Sequence, residues 1–261
     1  MLVQDSPPVG RLVGVGVGPG DPEYLTLQAV RILRESPRIV APSTAVDAVG
    51  RAEAIVRQAV PDVAARIVRL VFDMTADGET GGRAARAASH RHAAERLLPW
   101  LAGGEQVAFV TLGDPAIYST FSSLVAAVRE LKPDIEVATV PGIMAFQALA
   151  ARTSTVLVDG DQQLQLVAAL DGAAGVARAA ADPGTAVVVY KGGRHMPAVA
   201  KALADAGRLD GAVMGELLSL PGERIASVAD AADGPASYLA TVIVPAVPEV
   251  PEVPEVPEVP E

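Results

Sequence analysis

Apolar positions along this chain fall into two kinds of block. Continuous runs rich in Val and Ile alternate with stretches in which apolar residues recur at three- and four-residue spacing. The runs at Arg11–Val17, Arg38–Ala41, Arg66–Phe72, Glu105–Leu112 and Ile135–Val140 predict strands, the fourth of them buried. Between them, residues 23–35, 47–59, 83–102 and 121–131 predict helices. In the first of these, Leu25, Ala29, Ile32 and Leu33 fall at i, i+4, i+7 and i+8. The polar, glycine-bearing stretch "MTADGETGG" (Met74–Gly82) predicts a loop. Strands alternating with helices predict an α/β unit built on a mostly parallel sheet.

The pattern changes near residue 142. A helix over 143–151, a strand near 155–158 and an Ala-rich helical region around 164–181 lead into the buried run Thr185–Tyr190. A helix over 195–206 follows, and then Gly211–Leu218 and Ser237–Pro245 read as strands that pair antiparallel, so this second sheet is mixed. The expected organisation is an N-terminal α/β domain over 11–142 and a C-terminal α/β domain over 143–245, with a ligand groove between them. Residues 246–261 form a tail.

That tail changes the reading of charge. It ends "VPEVPEVPEVPEVPE", and its five glutamates, from Glu249 to Glu261, carry half of the net charge of −10. The body is therefore only mildly acidic. Proline at every third position excludes helix and interior strand, leaving polyproline II and a disordered Pro-Glu-Val extension that either solubilises the chain or docks a partner. No basic clustering points to nucleic acid. With no cysteine among 261 residues, disulfides, thiolate-held metals and thiol nucleophiles are excluded. No apolar run reaches about 18 residues and "MLVQDSPPVG" is no signal peptide, so a cytoplasmic protein off the membrane is expected.

The chemistry concentrates in turns after strands. "GVGVGPGDPEYLTL" places glycine at 14, 16, 18 and 20, then Asp21. A dinucleotide fingerprint starting at Gly14 would need a small residue where Pro19 stands, and one starting at Gly16 meets Asp21. No P-loop lysine follows, and Pro19 and Pro22 remove two N–H donors that a phosphate would use. A cationic or neutral ligand fits better than an anion. "TLGDPAIYST" (Thr111–Thr120) repeats Gly-Asp-Pro after a second strand, and "VPGIMAF" supplies a third turn. All three lie where open α/β sheets hold ligands.

These three motifs, in this order and spacing, resemble the tetrapyrrole methylases, two-domain enzymes that use S-adenosylmethionine; the resemblance covers about residues 11–245. Within that family, "TLGDPAIYST" and "RLVFDMT" are most similar to the precorrin-2 C(20)-methyltransferases of cobalamin biosynthesis. Phe72-Asp73-Met74 and Gly142-Ile143-Met144-Ala145 depart from the expected Phe-Pro-Met and Gly-Ile-Ser-Ser. The resemblance implies methyl transfer to C-20 of precorrin-2, a homodimer, and no metal. Carried over by motif, it implies donor contacts at Pro19, Leu112, Gly113, Asp114, Ile117, Met144 and Ala145, with Tyr190, Lys191 and Leu218 completing the adenosine side. Tyr118 and Ser119 could face either ligand. Arg83 and Arg86 could pair with substrate carboxylates or line a solvated helix face.

Other residues are weaker candidates. His90 and His92 lie about 200° apart on a helix and cannot share a metal; an exposed Arg-rich face accounts for them. His195 reads as a helix-start or surface residue, and no general base stands out. The alternatives are the same reaction on cobalt–factor II or at another ring carbon, a nicotinamide-dependent oxidoreductase, and a scaffold acting through its tail. Nicotinamide titration and tail deletion distinguish the last two.

Overall fold

The computed structural model describes residues 9–45, 47–72 and 82–247. The Met74–Gly82 loop, apart from Gly82, and all but the first two residues of the 246–261 tail lie outside that range. The chain divides into two units. One runs to Ala151 and takes in Leu217–Arg224; the other holds Arg152–Glu216 and the chain from Ile225.

In the first unit, strands β1 (Arg11–Gly16), β2 (Arg38–Ser43), β3 (Ile67–Val71), β4 (Gln106–Thr111) and β5 (Glu136–Val140) form one parallel sheet in the order β3-β2-β4-β1-β5. Alternate side chains of β1 face opposite layers. Val13 and Val15 pack toward α1 (Leu27–Glu35) and α2 (Arg51–Ala59), while Leu12 packs toward α3 (Gly82–Ala102) and α4 (Phe121–Leu131). Gly14, on the second face, leaves room for the Phe121 ring. α1 starts later than the apolar spacing predicts. Thr26 caps its first turn by accepting from the Ala29 amide, and Pro22–Tyr24 forms a separate 3-10 turn. At the sheet edge, Glu53 of α2 is fully buried and accepts from Arg57 at 2.7 Å and Arg69 at 2.6 Å. Burial raises its pKa, but the bonds from Arg69 and Arg57 outweigh that and hold it below its ordinary value.

In the second unit, β6 (Gln163–Ala168), β7 (Thr185–Tyr190), β8 (Val213–Glu216), β9 (Arg224–Ser227, begun at the unit boundary) and β10 (Thr241–Val244) form a sheet ordered β6-β7-β10-β8-β9. β6 runs parallel to β7, and β10 runs antiparallel to both β7 and β8. The mixed sheet expected here is therefore present. Three of its elements differ from expectation, and one of them, β9, lies where the sequence pattern predicts no strand. The Ala-rich region splits into β6 and α6 (Ala174–Ala180), and residues 155–158 form no strand. Gln163–Ala168 holds a single alanine, and Leu164 and Leu166, alternating with Gln163 and Gln165, follow the ladder offered by β7, while the helix-favouring alanines lie further along in α6. The remaining helices are α5 (Ala145–Thr153) and α7 (Met196–Asp205). Arg208 lies 5% exposed, and its guanidinium donates to the carbonyls of Ala180, Asp182, Thr185 and Pro245, tying α6, β7 and the end of β10 together.

Candidate functional site

β4, β1 and β5 are adjacent and parallel, so their C-terminal ends present three turns along one edge of the first sheet. These turns meet through main chain. The Gly113 amide donates to the Gly18 carbonyl at 2.9 Å, forming an isolated antiparallel bridge. Both residues have left-handed backbone, φ +63° at Gly113 and +79° at Gly18, which glycine adopts without strain. Gly16 is extended yet equally constrained. A β-carbon there would lie 2.5 Å from the Gly113 carbonyl oxygen and 2.7 Å from the Gly142 α-carbon.

Side chains then lock this junction. Asp114 Oδ2 accepts from the Gly142 amide at 3.0 Å, and Oδ1 accepts from the Ala116 amide at 2.8 Å. Met144 lies under the Gly113 turn, 7% exposed, and begins α5 in a reciprocal cap. Its amide donates to Gln147 Oε1 at 2.8 Å while its carbonyl accepts from the Gln147 amide. Ser119 donates to Thr111 Oγ1 at 3.0 Å and accepts from the Phe121 amide, so it shapes the turn into α4. Tyr118 beside it has φ +51°, an uncommon conformation for a bulky residue, and is 46% exposed. Asp21 Oδ1 caps the Pro22–Tyr24 turn at the Glu23 amide.

A distant segment joins the first turn. The Leu218 carbonyl packs directly against Gly20, in a segment where Leu217 and Ser219 have φ +52° and +57°. Of the nominated donor residues, Pro19, Leu112, Gly113, Asp114, Ile117, Met144, Ala145 and Leu218 thus belong to the first unit, and Pro19 is buried between two of the joined glycines. Tyr190 ends β7 in the second unit, and Lys191 follows it with φ +60°. Gly193 follows and packs against the Ser237 carbonyl, and the Ser237 amide donates to Glu216 Oε2 at 2.7 Å. Glu216 and Gln147 were not singled out from the sequence. Gln147 stands three residues after Met144, which is no capping residue type, and Glu216 lies 21 residues from its partner, so neither carried a local signal.

Arg86 is half-buried on α3, and the side chain of Arg83 lies outside the described residues. The histidines correct one expectation. His92 is exposed, but His90 is 5% exposed, its Nδ1 is 2.7 Å from the Arg86 carbonyl and its ring lies 5.4 Å from that of Phe72. It shares the buried face of Ala93, Ala94, Leu97 and Leu101. His195 Nε2 lies 3.0 Å from the Leu170 carbonyl, at the start of α7. Among the described residues no group of three or more His, Asp or Glu could hold a metal, and no helix is long and apolar enough to cross a membrane.

A sequence profile of the Tetrapyrrole (Corrin/Porphyrin) Methylases matches residues 11–232. The chain is 33% identical to a precorrin-2 C(20)-methyltransferase of Sinorhizobium sp over 239 residues, 91% of this chain and 96% of that protein. It is 31% identical to a cobalt-precorrin-2 C(20)-methyltransferase of Salmonella typhimurium, covering 90% of this chain and 96% of that one. Among solved structures, a cobalt precorrin-4 methyltransferase, CbiF, matches with a TM-score of 0.62 at 20% identity, over 90% of this chain and 94% of that one. That likeness concerns the fold: paired α/β sheets, one parallel and one mixed.

Proposed function

The chain belongs to the tetrapyrrole methylase family, and from that premise we propose that it transfers a methyl group from S-adenosylmethionine to C-20 of precorrin-2. It is an S-adenosylmethionine-dependent C-methyltransferase of cobalamin biosynthesis. The observation that carries the donor reading is the junction of Gly16, Gly18, Gly113 and Gly142, where main chain packs directly on main chain at the ends of three adjacent strands. The junction fits this donor better than a nucleotide phosphate. It contains no lysine or arginine, and the carboxylates of Asp21 and Asp114 already accept from backbone amides. Pro19, Leu112, Gly113, Asp114, Ile117, Met144, Ala145 and Leu218 are the proposed donor contacts on the first unit. Tyr190 and Lys191 are proposed on the second, supported by the left-handed backbone at Lys191.

When bound, the donor supplies an electrophilic methyl on a sulfonium sulfur. The chain's task is to hold donor and ring carbon in line and keep water out, and such positioning offsets roughly 7–11 kcal/mol of the barrier. Rigid main chain suits that task, because glycine turns packed carbonyl against α-carbon cannot relax by changing rotamer. Tyr118, exposed on strained backbone, is the proposed contact to the tetrapyrrole, with Ser119 setting its turn. Arg86, with Arg83, is proposed to pair with ring carboxylates. A homodimer in the cytoplasm, working without metal, completes the proposal.

The second reading is the same transfer to cobalt-precorrin-2, favoured by the Salmonella relative. Incubating the purified chain with radiolabelled donor and each tetrapyrrole separates the two. Label in precorrin-2 is the expected result, label only in the cobalt compound selects the second reading, and label in neither refutes both.

A further inference from the structure

We propose that the carboxylate of Asp114, whose loop is a proposed donor contact, is a positioning group for the donor site, acting through the backbone of the third turn rather than by touching the reacting atoms. The inference rests on the methyltransferase reading above. The geometry that motivates it is the use of both carboxylate oxygens. Oδ1 closes the turn of its own loop at Ala116, and Oδ2 reaches across 28 residues of sequence to the Gly142 amide. The first bond is local and would occur in any Asp-Pro turn. The second is not, and it joins the turn after β4 to the turn after β5.

Among the described residues, Gly142 is held at that point by this bond and by main-chain packing. Its α-carbon rests on Gly16, and a β-carbon there would strike the Gly113 carbonyl, so no side chain of its own can fix its position. The Asp114 carboxylate therefore sets where the third turn begins. Two residues later, Met144 packs under Gly113 and starts α5 through its reciprocal bonds with Gln147. A displacement at Gly142 is passed to Met144 and Ala145, both proposed donor contacts, and to Gly113, whose amide holds Gly18. One carboxylate thus holds all three turns in register.

The same arrangement says which changes are tolerated. Asp114→Asn keeps the size but replaces one acceptor by an NH2 donor facing an N–H donor, so one of the two bonds is lost. Asp114→Glu keeps both acceptors on a longer stem. A charge-assisted bond to a backbone amide is stronger than a neutral one, so Asn does not replace Asp even when its oxygen faces Gly142.

The test uses the full-length chain, with S-adenosylhomocysteine as probe in calorimetry and methyl transfer measured separately. Asp114→Asn is expected to weaken S-adenosylhomocysteine and raise the donor KM by about tenfold, with the tetrapyrrole KM within about twofold of the parent; Asp114→Glu should recover part of the loss. In 15N-glycine-labelled protein the Gly142 amide proton resonance should move upfield in both Asp114→Asn and Asp114→Ser, and a resonance that holds its position in both overturns the proposal. If Asp114→Asn does not fold, hydrogen exchange at Gly142 in the parent decides, with protection of at least about 100-fold expected. Parent protein that binds S-adenosylhomocysteine while the Asn variant binds it equally well, or a Gly142 amide exchanging at the free-peptide rate, overturns the proposal alone. Parent protein that takes up no S-adenosylhomocysteine overturns the donor reading and this proposal with it.

Discussion

Gly16→Ala is the sharpest perturbation of the three-turn junction. Gly16 has extended backbone that alanine adopts freely, so the whole effect is steric. The added β-carbon would sit 2.5 Å from the Gly113 oxygen, where ordinary contact begins at 3.4 Å, so the turns must part by about 0.9 Å. The Gly142 amide nitrogen and α-carbon would also lie within 2.7 Å of it. Every neighbour is main chain, and no rotamer change gives way. Overpacking of this kind costs about 1–3 kcal/mol of stability. A misplacement near 1 Å at a positioning surface costs about 100-fold in rate. The variant should therefore fold, melt a few degrees lower, and lose about 100-fold in kcat/KM for methyl transfer. Gly234→Ala, with open space around the new methyl and no left-handed φ, is the control and should match the parent. Radiolabel transfer and thermal melting on all three proteins check this. A Gly16→Ala enzyme within about threefold of the parent would show that the junction does not position the donor.

Two further outcomes follow from buried charge. Arg208→Ala leaves four carbonyls without their shared donor, and should destabilise by at least about 3 kcal/mol, lowering the melting midpoint by about 6–12 °C; Arg208→Lys should recover part, and a drop below about 2 °C would refute the role. Glu53 is held below its ordinary pKa of 4.5 against the cost of burial, by Arg69 and then Arg57. Its stabilisation is complete above that ordinary value and is lost as pH falls through the lowered folded value, so Glu53→Gln should flatten the acid limb of stability in denaturant titrations between pH 7 and 3. An unchanged acid limb would assign the acid sensitivity elsewhere.

The first unit was largely legible because its signals are local. Val-rich runs, glycine turns and the spacing of Ala29, Ile32 and Leu33 need only near neighbours to express themselves. His90 was misread on a helix whose buried face was nonetheless written in Ala93, Ala94, Leu97 and Leu101, at three, four, seven and eleven residues' distance. The Arg residues around it masked that spacing. The second unit was harder, because alanine's helix preference carried the helical reading back over Gln163–Ala168, a segment that alternates as a strand. Gln163–Ala168 became a strand because β7 lay beside it, and Thr155–Val158 did not, with Val156 left 72% exposed.

What the chain determined by itself was the chemistry it could not perform and the surface it could offer: no thiol, no phosphate loop, and glycines at alternate positions that allow backbones to touch. Tertiary structure alone decided which backbones do. Asp114 meets Gly142 across 28 residues and Gly20 meets Leu218 across the length of a domain, and no local preference encodes either. Hydrogen bonds and close packing between distant segments exist only once the sheet has brought strand ends side by side.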